Sequence, residues 1–522
     1  MDAPDIIVLS LYFAISLAIG LWFGRGEKNT HDFFLGGRKQ HWLLASISII
    51  ATEVSAVTLI AVPADAFRGD WNYLQAYAGS FLGRILIVYL LLPAFYGGAV
   101  TTVYEYLGQR FGPATRTTAS LFFFVSRILG SGIRLLVASL ALSEVFGWNL
   151  TVVVVGSTAI AMIYATFGGI KAILWTDLFQ AIIFIGGAFV TVALLLAAIP
   201  GAWTDNLSAA YASGKMKVFT WSGGWNNEKL FWLLALNTVF TTMASMGTDQ
   251  DLTQRMLTCP DLPKAQRSLL FNAFVTFPIP CTYLLIGTLL YQYYSGLPAD
   301  AVPERISTGS DRIYPFYIAT AIPSGFGLRG LLVAAIFAAA MSSLASALGA
   351  LASTAVTDIY RPFRNRPIRD LAVSRGCGPV AESHYLFVAR LCTVFFGIVL
   401  IFVALLFQRE DELLWTVLKL AGIVFGGLLG IFLLGVLTSG RGNDRVNVFA
   451  MVTSVALLLA VMIIQEYETS NLAWEQFRHF VKNHLHIAWP WWIIIGTAWT
   501  FFFAALAPTN LAHRSNRLLP QE

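Results

Sequence analysis

Long apolar runs alternate with short polar connections along nearly the whole chain. A run of at least about 18 mostly apolar residues predicts a membrane-spanning helix, because that length crosses the hydrocarbon core. We predict thirteen spans, near residues 5–24, 42–66, 73–98, 117–146, 149–168, 171–199, 229–248, 265–294, 318–356, 384–407, 412–438, 446–465 and 488–508. Small and polar residues interrupt the second, seventh and ninth. The pattern predicts an all-α polytopic membrane protein.

Composition excludes most other classes of protein. Apolar residues make up 57% of the 522 residues and charged residues 12%, whereas a soluble domain carries about 25% charged residues. The connections between spans are all too short for a soluble catalytic domain, and they hold no Gly-rich phosphate loop, so coupling to ATP hydrolysis within this chain is excluded. The four cysteines and seven histidines lack metal-ligand spacing. We therefore predict no metal centre of that kind.

The distribution of Lys and Arg predicts which way the chain crosses the membrane. If the N-terminus lies outside, the inner loops hold 19 of these residues and the outer loops hold 10. Because positively charged loops stay in the cytoplasm, we expect an outside N-terminus and a cytoplasmic C-terminus, in a plasma or inner cell membrane.

Charged residues inside predicted spans are candidates for function, because they are costly in lipid. Five of them matter here, namely Glu53, Arg84, Arg127, Arg134 and Asp177. Arg390 and Lys419 are set aside, because a long side chain near the end of a span can reach the membrane surface. Glu53 lies among small and hydroxyl residues, and either forms a structural ion pair or lies beside a cation or substrate. Arg134 either pairs with Glu53 or holds a carboxylate in two parallel hydrogen bonds.

A row of small and hydroxyl residues marks the ninth span. Ala339, Ser342, Ser343 and Ser346 follow helical spacing and so share one face. Serine hydroxyls in membrane helices often bond to their own helical turn. Adjacent hydroxyls on one face are also suited to a hard monovalent cation, which prefers oxygen ligands.

Four motifs resemble those of the sodium/solute symporters, the relatives of sodium/glucose, sodium/proline and sodium/sialic acid cotransporters. They are Asp32-Phe33-Phe34-Leu35-Gly36-Gly37-Arg38, Gly168-Gly169-Ile170-Lys171-Ala172 running to Trp175-Thr176-Asp177-Leu178-Phe179-Gln180, Gly247-Thr248-Asp249-Gln250 running to Gln254-Arg255, and Ala339 with Ser342-Ser343. The resemblance covers about residues 5–440.

The resemblance implies a leucine-transporter-type fold with two inverted five-helix repeats. It places a peripheral first helix and loop in residues 1–40, the first repeat (spans 2–6) in 41–200, the second repeat (spans 7–11) in 201–440, and two further helices in 441–522. Spans 2 and 7 would be the broken helices of the two repeats.

The resemblance also implies sites for sodium. The central site would use the carbonyls of Ala51, Val54 and Ala339 and the hydroxyls of Ser342 and Ser343. Asp177 matches an acid linked to sodium release, which in some members forms a second sodium site with the equivalent of Ser346.

Substrate residues are implied by the same comparison. They are Glu53, Ser55, Thr58, Gln75, Tyr77, Ser80 and Arg134, with Thr241 or Thr242 as further candidates. Sugar-transporting relatives carry an acid where Tyr77 aligns, and relatives that take sialic acid bind its carboxylate with an Arg that Arg134 resembles. This favours a carboxylate-bearing solute such as sialic acid, a monocarboxylate or an amino acid, with a sugar or polyol as the alternative.

We therefore expect a sodium-coupled symporter that imports a small organic solute by alternating access, with sodium as coupling ion and no other cofactor. The expected partners are sodium, the solute and the lipid bilayer, without nucleic acid or an obligate protein partner. A transporter-like sensor would need an added module, for which the short tail after about residue 508 leaves no room. A membrane enzyme would need a catalytic constellation, and no histidine lies at the centre of a predicted span.

Overall fold

The computed structural model describes residues 1–25, 27, 29–298, 311–323, 325–364, 382–408, 413–466, 478, 481 and 487–509. Their regular secondary structure is helical, as the apolar pattern predicts. The helices are α1 (Ala3–Phe23), α2 (Thr30–Leu35), α3 (Trp42–Glu53), α4 (Ala56–Arg68), α5 (Ala76–Leu86), α6 (Leu92–Gly97), α7 (Val103–Arg110), α8 (Pro113–Phe146), α9 (Leu150–Ala198), α10 (Trp203–Ala212), α11 (Phe231–Gly247), α12 (Gln250–Leu257), α13 (Leu262–Val275), α14 (Pro278–Ser295), α15 (Ile313–Thr320), α16 (Leu328–Thr354), α17 (Glu382–Leu406), α18 (Leu413–Leu437), α19 (Asp444–Glu466) and α20 (Pro490–Ala505).

The number of membrane spans is less definite than the apolar pattern suggests. Among the described residues, eight helices are long and apolar enough to cross a bilayer, or nine if the bent pair α3 and α4 counts as one span. Three further apolar helices are shorter, at Phe231–Gly247, Gly422–Leu437 and Pro490–Ala505. The predicted thirteen spans and their division into repeats thus stay predictions.

The fifth and sixth predicted spans adjoin in one 49-residue element, α9, which has its kink at Gly169, between them. Two other predicted spans differ in detail from the helices of the structure. The ninth is divided, because α15 ends at Thr320 and α16 begins at Leu328. The seventh contains an unbroken helix, α11, and the interruption follows it at Thr248–Asp249. Small and hydroxyl residues within a span therefore do not by themselves locate its break.

The contacts divide the chain into two units, and the first holds residues Met1–Leu74, Arg127–Phe219 and Gln254–Trp415. Its central helix is α16, which packs against α9, α1, α17 and α3. Nearly every residue of α16 from Gly330 to Thr354 is buried. Its many alanines and serines permit this packing, because small side chains let helices approach closely in a membrane.

The second unit comprises Gln75–Ser126, Thr220–Thr253 and Thr416–Glu522. Within it α5 packs against α11, and α20 packs against both α11 and α19. Gly79 of α5 lies against the backbone of Ala235, where any Cβ atom would collide with the carbonyl. The α5–α11 pair therefore depends on a residue without a side chain at that position.

Helix α9 contains one residue whose backbone is not helical. Gly169 has φ 53° and ψ −164°, a conformation that is accessible almost only to glycine. At about 1.5 Å per residue a straight helix of this length would be more than twice as long as the hydrocarbon core is thick, so the break at Gly169 separates two segments that can each cross it. Glu27 lies directly against this glycine, and burial raises the pKa of its carboxyl to about 8.

Replacing Gly169 with alanine is expected to destabilise the protein by about 1–3 kcal/mol, because the new side chain meets both an unfavourable dihedral region and the Glu27 carboxyl group. Thermal unfolding of the purified protein in detergent measures the effect. Gly186→Ala in the same helix is the matched control, since no atom lies within 4 Å of its added Cβ. Equal unfolding temperatures for the two variants would show that the break is not needed.

Candidate functional site

The second predicted span is broken, as expected, between Glu53 and Ala56. Helices α3 and α4 meet there at a bend of 53°, and Val54 and Ser55 form the connection, with ψ angles of 89° and 175°. The last carbonyls of a helix lack donors within that helix. The end of α3 therefore offers backbone oxygens inside the membrane-spanning part of the first unit.

The predicted sodium ligands of α16 face this break and the neighbouring helix α9. The Ser343 hydroxyl donates to the Thr52 carbonyl of α3 at 3.4 Å, and the Ser342 hydroxyl donates to Oδ1 of Asp177 at 2.6 Å. Both hydroxyls thus bond to other helices, whereas Ser353 on the same helix bonds to its own turn at Ala350. Bonding to their own helical turn therefore does not account for these two hydroxyls, and the cation interpretation of the serine row stays a prediction.

The other predicted members of the sodium sites lie on the same elements. Ala51 and Val54 are buried at the end of α3, and Ala339 is buried on α16, one turn before Ser342. Ser346 is buried one turn after Ser342 on that face. The structure thus gathers the predicted oxygen donors on α3 and α16, with Asp177 on α9 beside them.

Asp177 forms the centre of a buried polar network. Its Oδ2 atom accepts a hydrogen bond from Ser48 Oγ at 2.5 Å and one from Arg255 Nη2 at 3.2 Å. Arg255 Nε also donates to Ser48 Oγ at 2.7 Å, and the side chains of Asp177 and Arg255 are each only 1% exposed. A buried ion pair is tolerated when further hydrogen bonds satisfy its atoms, and the two serines do this for Asp177.

Arg255 is a member of this polar network that the sequence interpretation did not include. The charge pattern of the sequence assigns it to an inner loop. In the structure it lies on α12, and its side chain is buried in the core of the first unit. Neighbouring bonds hold this segment in place: Gln254 donates to the Phe34 carbonyl at 2.6 Å, and the Gln40 amide donates to the Thr258 carbonyl at 3.1 Å. The Gln254-Arg255 motif was the available signal.

Four of the predicted substrate residues belong to the first unit. Glu53 is the last residue of α3, Ser55 precedes α4, and Thr58 lies in the first turn of α4. Ser55 is buried, whereas Glu53, Thr58 and Arg134 of α8 are half-buried. The break of the second span thus groups three of them at one place.

The remaining three predicted substrate residues belong to the second unit. Gln75 binds backbone with both ends of its amide, since it donates to the Lys229 carbonyl at 2.6 Å and accepts from the Thr220 amide at 3.3 Å. These bonds indicate that Gln75 anchors a loop. Tyr77 is half-buried in the first turn of α5.

Ser80 lies at the centre of a polar group between α5 and α11. Its Oγ atom accepts hydrogen bonds from Arg84 at 2.6 Å and from Thr242 at 2.9 Å. Arg84 is 1% exposed, so this intramembrane arginine is held beside a predicted substrate residue.

Comparison with solved structures identifies the fold. A Na⁺-coupled sialic acid symporter, in a substrate-bound outward-open state, superposes with a TM-score of 0.81 at 26% identity, over 98% of this chain and 99% of that chain. Mhp1, a nucleobase-cation-symport-1 family transporter, superposes with a TM-score of 0.52 at 13% identity, over 90% of this chain and 92% of that chain. The predicted leucine-transporter-type fold is confirmed.

Sequence comparison gives the family. The sodium/sialic acid symporter SiaT of Proteus mirabilis is 29% identical over 87% of this chain and 88% of that protein. The human sodium-coupled monocarboxylate transporter 1 is also 29% identical, over 83% of this chain and 69% of that protein. Residues 33–454 match the family model of the Sodium:solute symporter family. With the serine row, the broken span and the buried acid in place, the chain belongs to the sodium:solute symporter family, and it is a transporter rather than an enzyme.

Proposed function

We propose that this protein imports a small carboxylate-bearing solute together with sodium, by alternating access across a plasma or inner cell membrane. The observation that carries the proposal is the cluster of oxygen atoms formed where Ser342 and Ser343 meet the end of α3 and Asp177. Hydroxyl and carbonyl oxygens are the ligands a hard monovalent cation prefers. The two relatives reported above transport carboxylates by name, sialic acid and monocarboxylates.

Sodium binding would join two helices of the first unit. An ion held by the carbonyls of Ala51, Val54 and Ala339 and by the hydroxyls of Ser342 and Ser343 would fix the broken second span against α16. Because Glu53, Ser55 and Thr58 follow the same break, the ion would also order one side of the substrate site. Each ligand then raises the affinity of the other, a reciprocal coupling that is typically about 1–3 kcal/mol.

Asp177 is suited to sodium release, because Ser342 connects it to the central site. An ion leaving the central ligands would meet the Asp177 carboxylate, with Ser346 as a further oxygen ligand on the same face. Arg255 pairs with Asp177 in the structure, so sodium and the guanidinium would compete for one carboxylate. Arg255 would neutralise Asp177 once the ion has left.

The sodium gradient drives uptake, and the membrane potential adds to it in proportion to the net charge that enters. At 100 mV each net positive charge contributes about 2.3 kcal/mol, which corresponds to about fifty-fold accumulation. One negative charge on the solute cancels the charge of one sodium ion, so a zwitterionic solute gains this term from a single sodium ion and a monoanion does not. The test is uptake into proteoliposomes with an imposed sodium gradient, using sialic acid, monocarboxylates, amino acids and sugars. Sodium-dependent uptake of a carboxylate is expected. Uptake of a hexose or polyol alone would favour the sugar alternative, and sodium-independent uptake would contradict the proposal.

Arg134→Ala is expected to raise the half-saturating concentration of a carboxylate substrate about ten- to a hundred-fold, since a charge-assisted hydrogen bond contributes about 1.5–3 kcal/mol. Arg134→Lys keeps the charge but loses the planar fork, so an intermediate loss is expected. Uptake kinetics with the carboxylate substrate and its neutral amide analogue measure the effect, because the amide should be insensitive to both changes. A carboxylate transported normally by Arg134→Ala would remove Arg134 from the site.

A further inference from the structure

The first helix contributes a polar face to the interior of the first unit. Most residues of α1 are exposed or half-buried, but Tyr12, Ser16 and Gly20, each four residues apart, are buried along one line. A Cβ atom at Gly20 would collide with the Cβ atom of Tyr164. The glycine therefore lets Tyr164 of α9 lie directly beside α1.

Two tyrosines from this contact reach the same residue of α16. Tyr164 Oη donates to the Met341 carbonyl at 2.8 Å, and Tyr12 Oη lies 3.8 Å from the Met341 sulfur. Gln180 Nε2 donates to Tyr12 Oη at 3.3 Å. Met341 is thus held through its backbone by α9 and through its side chain by α1.

The position of Met341 connects these bonds to the proposed sodium site. It immediately precedes Ser342 and Ser343, and its carbonyl belongs to the same helical turn as their hydroxyls. A carbonyl oxygen has two lone pairs, so Tyr164 can bind it while the helix keeps its own hydrogen bond. A bond at that point restrains rotation of α16 about its axis. Metal ligands must be held to within about 0.5 Å of their working positions.

Each of the two segments of α9 supplies one side chain that bonds to α16. Tyr164 lies before the break at Gly169, whereas Asp177 and Gln180 lie after it. Tyr164 and Asp177 therefore hold two neighbouring residues of α16, Met341 and Ser342, from the two sides of the break. Any rotation of α16 relative to α9 would strain both bonds.

We propose that Tyr164 is a positioning residue for sodium binding and that Tyr12, supported by Gln180, makes the peripheral first helix part of this support. The inference rests on the proposed function, because it assumes that Ser342 and Ser343 bind sodium. Tyr164 does not touch the ion; it holds the turn of α16 that presents the two hydroxyls.

Tyr164→Phe is the test, because it removes one hydroxyl and keeps the ring. The sodium concentration for half-maximal uptake is expected to rise about two- to tenfold, the ratio that corresponds to one buried hydrogen bond. Maximal uptake and substrate half-saturation at saturating sodium should stay unchanged. Tyr12→Phe should shift sodium dependence in the same direction by a smaller factor, because its contact with the Met341 sulfur is a weak one.

Tyr283→Phe is the matched control. Tyr283 is a buried tyrosine of the same unit that donates to the Phe184 carbonyl of α9 at 3.1 Å, so Tyr283→Phe loses a bond of the same kind whose acceptor does not belong to α16. Its sodium dependence should equal that of the unmodified protein. Equal sodium dependence for Tyr164→Phe and the unmodified protein, or an equal shift in Tyr283→Phe, would overturn the inference.

Sodium binding measured without substrate distinguishes the positioning role of Tyr164 from the proposed sodium-coupled transport. Sodium titration of the purified protein, followed by thermal unfolding, reports binding directly. If the unmodified protein responds to sodium and Tyr164→Phe responds identically, the positioning role is wrong and the proposed function stands. If the unmodified protein shows neither sodium binding nor sodium-dependent uptake, the proposed function itself is wrong.

Discussion

Ser343→Ala is expected to reduce sodium-driven uptake nearly to the level of sodium-free vesicles, at sodium concentrations that half-saturate the unmodified protein. The change removes a hydroxyl that joins α16 to the end of α3 and deletes one of the five oxygen ligands proposed for the ion. Because ligands in a buried site cannot be replaced easily by water, the sodium half-saturation should rise at least about tenfold. Uptake against sodium concentration, in proteoliposomes of matched protein content, measures this effect.

Ser353→Ala provides the control on the same helix. Ser353 is fully buried, but its hydroxyl donates to the Ala350 carbonyl of its own turn at 2.9 Å. Removing it alters only local bonding, so uptake and sodium dependence should match those of the unmodified protein. Unchanged, still sodium-dependent uptake in Ser343→Ala would refute the ligand assignment.

Removing one partner of the Arg255–Asp177 pair is the second change with a large expected effect. Arg255→Gln leaves a buried carboxylate without its counter-charge, and Asp177→Asn leaves a buried guanidinium, so each should cost about 3–5 kcal/mol of stability. The double variant removes both charges, and it should therefore be more stable than either single variant. Thermal unfolding of the four proteins in detergent forms a double-mutant cycle that isolates the pairwise interaction.

Uptake measurements on the same variants distinguish the structural role of the Arg255–Asp177 pair from its role in transport. The double variant should fold but should transport slowly, because the proposed release path has lost its carboxylate. Stability losses that simply add would show that the two side chains do not interact in the folded protein. Normal sodium-driven uptake by the double variant would remove Asp177 from the release path.

Local patterns along the chain determined the class of the protein. An apolar run long enough to cross the bilayer predicts a membrane helix, and this prediction does not depend on which other helices pack against it. Small and hydroxyl residues from Ser48 to Thr58 marked the second span as interrupted, the family resemblance implied that it is broken, and the structure has the break at Val54 and Ser55. The spacing of Ser342 and Ser343 placed two hydroxyls on one helix face, because helical periodicity is a local property.

Only the tertiary structure decided which partners these polar side chains contact. The sequence could not show that Ser342 bonds to Asp177, or that Arg255, which it assigns to an inner loop, pairs with the same carboxylate. It also could not show that the amide nitrogen and oxygen of Gln75 both bond to backbone groups. It also gave no sign that Tyr164 supports Met341, which is 177 residues away along the chain. Periodicity predicts the face on which a side chain lies, whereas its partner depends on how distant segments pack and on which buried polar groups must be satisfied.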